Sequence, residues 1–219
     1  MTTLIIARHG NTFGPEDTPT RVGGRTDIPL VEKGRQQAQT IGTYLKEHDL
    51  LPDVVYSATL KRTKETAEIA LKAAELSLPI YALDIFDEID YGPDENQTED
   101  AVIKRIGKDA ITQWDQNATV PDGWDVNPDD IIENWKNFAH QNTKTHDTVT
   151  NNVMDMSETV LVVTSNGIAR FAPYITDDFD SFAKNHKIKL STGAIGILTF
   201  SQGHWRVTDW NIVPILDKN

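Results

Sequence analysis

The sequence TLIIARHGNT at residues 3–12 decides the fold class of this chain. Its apolar run at 4–7 is too short for a core helix and is typical of a buried strand in an α/β sheet. Arg8, His9 and Gly10 follow directly. In open α/β sheets ligands bind outside the carboxyl ends of the strands, so this pattern places a cation and an imidazole at a candidate site.

The residue types at this strand end suit phosphoryl chemistry. Arginine presents a planar fork of donors that matches a phosphate, and histidine is a nucleophile or base near neutral pH. Gly10 permits a tight turn, and the backbone N–H groups that follow, at Asn11 and Thr12, are predicted to be free to point at an anion. The same tripeptide is also compatible with an ordinary polar strand end, and the rest of the chain decides between the two interpretations.

Composition excludes several classes of protein. The chain has 219 residues and no proline-, glycine- or serine-rich linker, which predicts one domain, 1–219, with an inserted subdomain. A formal net charge of -12 argues against a nucleic-acid or anionic membrane partner. The absence of cysteine excludes disulfides and thiolate sites, and there is no signal-peptide pattern or apolar run of about 20 residues. The expected location is therefore cytoplasmic.

The segments after the first strand continue an α/β pattern. Residues 11–29 are predicted to form a loop, and residues 31–48 have apolar side chains at helical spacing. A second strand at 53–56 precedes a second helix, for which Ser57 or Thr59 is the expected N-cap. The first turn of that helix would contain Arg62, where free N–H groups and the helix dipole favour an anion.

A cluster of acidic residues follows. Residues 84–100 hold eight carboxylates and no lysine or arginine. One interpretation is a solvated acidic surface. The other is that one carboxyl group, crowded by like charges and partly buried, has a raised pKa and acts as a general acid. Glu88 is the best candidate, because neighbouring apolar residues would hold that turn against the core.

The second half of the chain is predicted to complete the sheet. Residues 98–142 form an expected helical insertion over the carboxyl edge, whose three tryptophans pack into the core. A loop or short helix is expected at 142–152. Residues 159–164 are apolar on both faces and predict a central strand, and residues 194–210 predict a terminal hairpin. The fold class is therefore a three-layer α/β/α sandwich with a mostly parallel sheet.

These segments, in this order, resemble the histidine phosphatase superfamily, also called the phosphoglycerate mutase-like family. The Arg-His-Gly signature is at 8–10, and the Gly-x-x-Asp-x-Pro-Leu stretch is at 24–30. The Leu-x-Arg-Thr-x-x-Thr-Ala motif is at 60–67, and FDEIDYG at 86–92 is similar to the acid loop of the family. The resemblance covers nearly the whole chain.

The resemblance implies a two-step mechanism that needs no metal and no cofactor. His9 attacks phosphorus, Glu88 protonates the leaving oxygen, and Arg8 and Arg62 hold the phosphoryl oxygens. The expected ligand is a small phosphorylated substrate or phosphate. The expected substrate-binding residues are Gly10, Asn11, Thr12, Arg25, Ser165 and Asn166. The sequence makes no prediction of oligomeric state.

One departure from the family pattern concerns its second histidine. The family has Val-x-x-His-Gly-x-x-x-Arg, whereas this chain has VVTSNGIAR at 162–170, which puts Ser165 at the histidine position. A serine hydroxyl keeps a hydrogen bond but carries no positive charge. Two smaller departures are Asn11, where a glutamate is common, and Pro15, where an asparagine is common.

Three functions are compatible with the sequence. The first is a phosphatase that acts on a small phosphorylated metabolite. The second is a phosphoglycerate mutase-type phosphotransferase, which must also protect its intermediate from water. The third is a catalytically weakened protein that binds a phospholigand. The specificity of any of them is expected to depend on the inserted helices and the loop after the first strand.

Overall fold

The computed structural model describes residues 1–144 and 158–215. Within these residues six strands form one sheet in the order β3-β2-β4-β1-β5-β6. The strands are β1 Thr2–Arg8, β2 Val54–Ser57, β3 Ile80–Ala82, β4 Glu158–Thr164, β5 Ile195–Ser201 and β6 His204–Ile212. The α-helices are α1 Glu32–Glu47, α2 Lys61–Ala73, α3 Glu99–Ile106, α4 Lys108–Asn117, α5 Pro128–Lys144, α6 Asn166–Ala169 and α7 Phe179–Asn185. In the described ranges, 3-10 helices occupy Asp84–Phe86, Gly92–Asp94 and Ala172–Ile175.

The sheet is mostly parallel, as the sequence predicted. Strands β1 to β4 run in the same direction, and β5 pairs antiparallel with both β1 and β6. β1 and β4 are interior strands that are buried on both faces. Leu4 and Ile6 face one apolar cluster, whereas Ile5 and Ala7 face another cluster that contains the buried side of α1 and α2. This alternation confirms the three-layer α/β/α architecture.

The three tryptophans of the helical insertion pack in the core, as the sequence predicted. Trp114 and Trp135 are each 1% exposed, and Trp124 is 6% exposed. They come from α4, α5 and the connection between these helices, and they pack with Phe86 and Phe171. α5 continues to Lys144, and the rest of the predicted 142–152 segment lies outside the described residues.

The structure differs from the predictions at two places. Ile80–Ala82 forms a third parallel strand that the sequence did not indicate, because this edge strand is short and mostly exposed. The expected cap of α2 by Ser57 or Thr59 is wrong. The N-cap residue is Leu60, and the N–H of Lys61 instead donates to Asp27 Oδ1 at 2.7 Å. A carboxylate of the protein itself therefore occupies the helix end that was predicted to favour an anion.

Candidate active site

His9 follows the last residue of β1 and is fixed by backbone hydrogen bonds to two neighbouring segments. Its N–H donates to the carbonyl oxygen of Thr164 at 3.0 Å, and its carbonyl accepts from the N–H of Gly193 at 3.2 Å. The residue is 6% exposed. The imidazole is thus held at the carboxyl edge, between the end of β4 and the turn before β5.

The hydrogen bond of the His9 ring defines which nitrogen is reactive. Nδ1 lies 2.7 Å from the carbonyl oxygen of Gly10, and a carbonyl can only accept, so Nδ1 carries the proton. Burial, together with the positive charges of Arg62 and Arg8, lowers the pKa of His9 well below its ordinary value of 6.5. The ring is therefore neutral at physiological pH, and the lone pair of Nε2 is available as a nucleophile.

The turn after His9 packs tightly against α1. A Cβ atom on Gly10 would lie 2.2 Å from the carbonyl oxygen of Gly34, so no other residue fits without a backbone shift. The N–H of Gly10 donates to Thr66 Oγ1 at 3.2 Å, and the N–H of Asn11 donates to Gln37 Oε1 at 2.8 Å. The expectation that the Asn11 N–H is free for an anion is therefore wrong, because a glutamine side chain already accepts from it.

Two arginines, the partly buried Arg8 and the fully buried Arg62, lie near the His9 ring, and both lower its pKa through their charge. Arg8 Nη1 donates to the carbonyl of Leu190 at 2.7 Å. Arg62 is fully buried and donates to the carbonyl oxygens of Thr26 at 2.7 Å and Gly23 at 3.2 Å. Within residues 1–144 and 158–215, Nε of each arginine is buried without a hydrogen-bond partner. A buried unpaired donor costs about 1–3 kcal/mol, and an anionic oxygen is a ligand that would satisfy it.

Glu88 follows the 3-10 helix at Asp84–Phe86 and is 8% exposed. Its Oε1 accepts from the N–H of Ile89 at 2.9 Å, and its Oε2 accepts from the N–H of Gly167 at 3.3 Å. Burial raises the pKa of Glu88 above its ordinary value of 4.5, although these two N–H groups and Arg62 oppose the shift. The carboxyl group is thus poised to hold a proton where an exposed glutamate would have lost it.

Position 167 must be a glycine because the Glu88 carboxyl group lies directly against its Cα atom. A Cβ atom on Gly167 would lie 2.1 Å from Glu88 Oε1, which is far inside van der Waals contact. The start of α6 therefore leaves room for the carboxyl group only because a glycine stands there. No sequence motif indicates this contact, since the two residues are 79 positions apart.

One cavity of about 1030 Å³ is lined by Arg8, His9 and Glu88. The predicted site residues that line it are Arg8, His9, Asn11, Thr12, Glu88 and Asn166. Arg62 and Ser165 are fully buried and do not line it. Arg25 lies outside the cavity lining and points elsewhere, since it pairs with Asp90 at 2.8 Å and donates to the Gly92 carbonyl at 2.7 Å.

Ser165, at the end of β4, is completely buried. Its Oγ has no hydrogen-bond partner among the residues that the structure describes. The next residue, Asn166, lines the cavity, and its Oδ1 accepts from the N–H of Leu190 at 3.0 Å. The Ser165 hydroxyl is therefore an unpaired polar group next to the end of β4, whereas the Asn166 Oδ1 already accepts a hydrogen bond.

Comparison with known proteins gives the family of this chain. The sequence model of the histidine phosphatase superfamily (branch 1) matches residues 4–213. The chain belongs to the histidine phosphatase superfamily. It is 26% identical over 212 residues to the uncharacterized phosphatase PhoE of Bacillus subtilis, which covers 97% of this chain and 95% of that protein.

One further curated relative and one solved structure carry names of different activities. A 2,3-bisphosphoglycerate-dependent phosphoglycerate mutase of Bifidobacterium longum is 30% identical over 128 residues, which is 58% of this chain and 51% of the mutase. The match therefore spans about half of that mutase. The crystal structure of a phosphoserine phosphatase from Entamoeba histolytica, in complex with 3-phosphoglyceric acid, has the same fold with a TM-score of 0.71. It is 20% identical, and the match covers 97% of this chain and 98% of the other.

The cavity of this superfamily member also contains charged residues that the sequence analysis did not select. Lys189 Nζ lies 2.7 Å from Asp115 Oδ2, and this pair connects α4 with the segment before β5. Arg170 stacks on Trp114 at 4.0 Å, and burial lowers the pKa of Arg170 to about 10. These partners are distant in sequence, so no local spacing could have indicated them.

Residues 1–144 and 158–215 lack two kinds of structural feature. Among these residues no group of three or more histidine, aspartate or glutamate side chains has an arrangement that could hold a metal ion. No helix in the same ranges combines the length and the apolar character needed to span a membrane.

Proposed function

We propose that this superfamily member is a metal-independent phosphatase that hydrolyses a small phosphorylated metabolite through a phosphohistidine at His9. The observation that carries the proposal is the state of the His9 ring. Its Nδ1–H is bonded to the Gly10 carbonyl, its pKa is lowered, and Nε2 is left as the free lone pair. A neutral imidazole beside two guanidinium groups is the arrangement that attack on an anionic phosphoryl group requires.

In the first step Nε2 of His9 attacks phosphorus, and the P–O bond to the substrate's alcohol breaks. Glu88 donates its proton to the leaving oxygen, so that a neutral alcohol departs. The raised pKa of Glu88 supports this role, because the carboxyl group must be protonated before it can act as an acid. The unpaired Nε–H group of Arg8, which lines the cavity, would donate to a phosphoryl oxygen, and Arg62, which is buried outside the cavity lining, would add its positive charge.

In the second step water attacks phosphorus and the P–N bond breaks, which regenerates His9. The Glu88 carboxylate accepts a proton from the attacking water, so the acid returns to its starting state. Inorganic phosphate then leaves. The charge of the phosphoryl group is balanced in both steps by Arg8 and Arg62, and this is the basis for proposing that no metal takes part.

The relatives support a small phosphorylated substrate. PhoE carries the name of a phosphatase and aligns with almost the whole chain. The Entamoeba phosphatase, which shares the fold, holds 3-phosphoglyceric acid in its crystal structure. A cavity of about 1030 Å³ is at the upper end of the range for small-molecule sites.

Phosphate release in the presence of a chelator tests the proposal. We expect the purified protein to release phosphate from p-nitrophenyl phosphate at the same kcat with and without excess EDTA, because arginines supply the positive charge. The rate is measured from the absorbance of p-nitrophenol. A rate that falls to background with EDTA and returns with Mg²⁺ would contradict metal independence, and absence of release under all conditions would contradict the phosphatase activity itself.

Ser165 favours a second candidate, a phospholigand-binding protein with weak turnover. A serine replaces the second histidine of the family pattern, and its buried hydroxyl carries no charge. Loss of one donor to a transition-state oxyanion typically lowers kcat by about 10²–10³. Tight binding of inorganic phosphate without phosphate release would support this candidate.

Ser165→His tests whether the pocket is otherwise of the family type. If the pocket is otherwise of the family type, the added imidazole donates to the phosphoryl group, and we expect kcat for p-nitrophenyl phosphate to rise about tenfold. Because Ser165 is fully buried, Ser165→Asn provides a smaller donor, and the unfolding temperature of both variants checks that they fold. An unchanged or lower kcat in both folded variants would show that the pocket has been rebuilt around the serine.

A further inference from the structure

Arg21 lines the same cavity as His9 but has no role in the chemistry proposed above. Its guanidinium carbon lies 5.0 Å from the ring centroid of Trp124 and 5.5 Å from that of Tyr91. Two hydrogen bonds fix the backbone of Arg21. The Arg21 N–H donates to the Gln97 carbonyl at 2.9 Å, and the Arg21 carbonyl accepts from the Asn96 N–H at 2.8 Å. The side chain is 15% exposed.

The Trp124 ring is held by an ion pair whose carboxylate is buried. Its Nε1–H donates to Asp94 Oδ2 at 2.7 Å, and Asp94 is 1% exposed. Arg105 forms a two-pronged pair with the same carboxylate, with Nε at 2.6 Å from Oδ1. Arg21 is therefore a pre-organised cation, and a ligand that binds it does not have to order a flexible side chain.

The present partner of Arg21 is weakly held. Arg21 Nη2 lies 2.7 Å from Glu99 Oε2, and the Glu99 side chain is 54% exposed. Exposed ion pairs of this kind contribute little, because solvent screens them and the glutamate loses rotamer freedom. In addition, Arg21 Nε is buried without a hydrogen-bond partner in the part of the chain that the structure describes. The guanidinium thus has an exchangeable carboxylate partner and a buried Nε–H without a partner among the described residues.

We propose that Arg21 determines substrate specificity by binding a carboxylate on the alcohol portion of the phosphomonoester, with Glu99 occupying that position until the substrate displaces it. A carboxylate is favoured because its two coplanar oxygens match the guanidinium fork, and because a carboxylate already lies there. The inference rests on the proposed function, since the phosphoryl end of the substrate lies at His9. Both residues line one cavity, which has room for both ends.

The test measures binding rather than turnover. The ligands are 3-phosphoglycerate and glycerol 3-phosphate, which differ in a carboxylate against a hydroxymethyl group. His9→Ala is used as the background, so that neither ligand is consumed, and each Kd is measured by isothermal titration calorimetry. We expect 3-phosphoglycerate to bind about tenfold more tightly than glycerol 3-phosphate. When Arg21→Met is added to this background, the two Kd values should become equal.

Glu99→Gln is expected to act in the opposite direction, because it removes the competing carboxylate. We expect Glu99→Gln to lower the Kd of 3-phosphoglycerate about threefold more than it lowers the Kd of glycerol 3-phosphate. When Arg21→Met is also present, this difference should disappear. Arg206→Met and Asp100→Asn are matched charge controls that lie outside the cavity lining, and they should leave the ratio unchanged.

Equal Kd values for the two ligands in the background protein would overturn the inference. A gain from Glu99→Gln that persists without Arg21 would also overturn it, since the effect would then be one of overall charge. Failure of this inference can be told apart from failure of the proposed function, because phosphate release by the unmodified protein is measured separately. Selective carboxylate binding without phosphate release would refute the phosphatase and leave the role of Arg21 standing.

Discussion

His9→Ala is expected to lower kcat for phosphate release from p-nitrophenyl phosphate by about 10⁴-fold or more, because it removes the nitrogen that attacks phosphorus. The two arginines stay in place in this variant, so phosphate should still bind. The measurement is a comparison of p-nitrophenol release and of the Kd for inorganic phosphate in the two proteins. A loss of kcat with binding retained would identify His9 as the nucleophile.

His204→Ala is the matched control. His204 is exposed on β6, where its Nδ1 lies 2.9 Å from Asp177 Oδ2, and it does not line the His9 cavity. This substitution should leave kcat within about twofold of the unmodified value, as is usual for surface positions. If His9→Ala retained a tenth or more of the activity, another group would have to be the nucleophile.

Glu88→Gln is expected to discriminate between substrates by their leaving groups. Glycerol 3-phosphate has a poor leaving group that needs a proton, whereas p-nitrophenolate leaves without one. Because general acid catalysis typically contributes about 10²–10⁴-fold, kcat/KM should fall by that factor for glycerol 3-phosphate and by less than about tenfold for p-nitrophenyl phosphate. The ratio kcat/KM is the right quantity, because it reports the steps up to formation of the phosphohistidine.

The same variant should change the pH profile. Burial raises the pKa of Glu88 above 4.5, so its acid form is present below the raised pKa and is lost as pH rises through it. For glycerol 3-phosphate, kcat/KM should therefore fall on the alkaline side of that pKa, and Glu88→Gln should remove this limb. Asp84→Asn is the control, as an exposed acid of the same segment. If Glu88→Gln lowered kcat/KM equally for glycerol 3-phosphate and p-nitrophenyl phosphate, Glu88 would be excluded as the general acid.

Gly167→Ala provides an independent check on the position of the Glu88 carboxyl group. The added Cβ atom would lie 2.1 Å from Oε1, so either Glu88 or α6 must move. The selective loss of kcat/KM for glycerol 3-phosphate that is expected for Glu88→Gln should therefore appear in Gly167→Ala as well. In a protein that already carries Glu88→Gln, the glycine substitution should add little, because the two changes remove the same interaction.

The sheet could be predicted because its central strands carry strong local patterns. The run at 4–7 and the run at 159–164 are apolar on both faces, which only an interior strand requires, and both strands lie at the centre. The terminal hairpin was also predicted, and β5 pairs with β6 around the turn before His204. By contrast, Ile80–Ala82 has mostly exposed side chains and pairs with one neighbour, so burial leaves no pattern in its sequence.

The contacts that arrange the site depend on pairs far apart in the chain. Asp27 accepts a hydrogen bond from the N–H of Lys61 at the start of α2, although the hydroxyl of Ser57 or Thr59 was the expected cap. Gly167 makes room for Glu88 across 79 positions. A sequence motif names the type of residue at each position, but only the packed fold brings these partners within hydrogen-bond distance.

The phosphorylated state of His9 tests the central claim most directly. The protein is mixed with p-nitrophenyl phosphate, quenched within milliseconds in base to preserve phosphohistidine, and digested for mass spectrometry. The account predicts one added phosphoryl group on the peptide that contains His9, formed and consumed at rates that match turnover, and absent in His9→Ala. Turnover without phosphate on that peptide, or with phosphate on another residue, would contradict it.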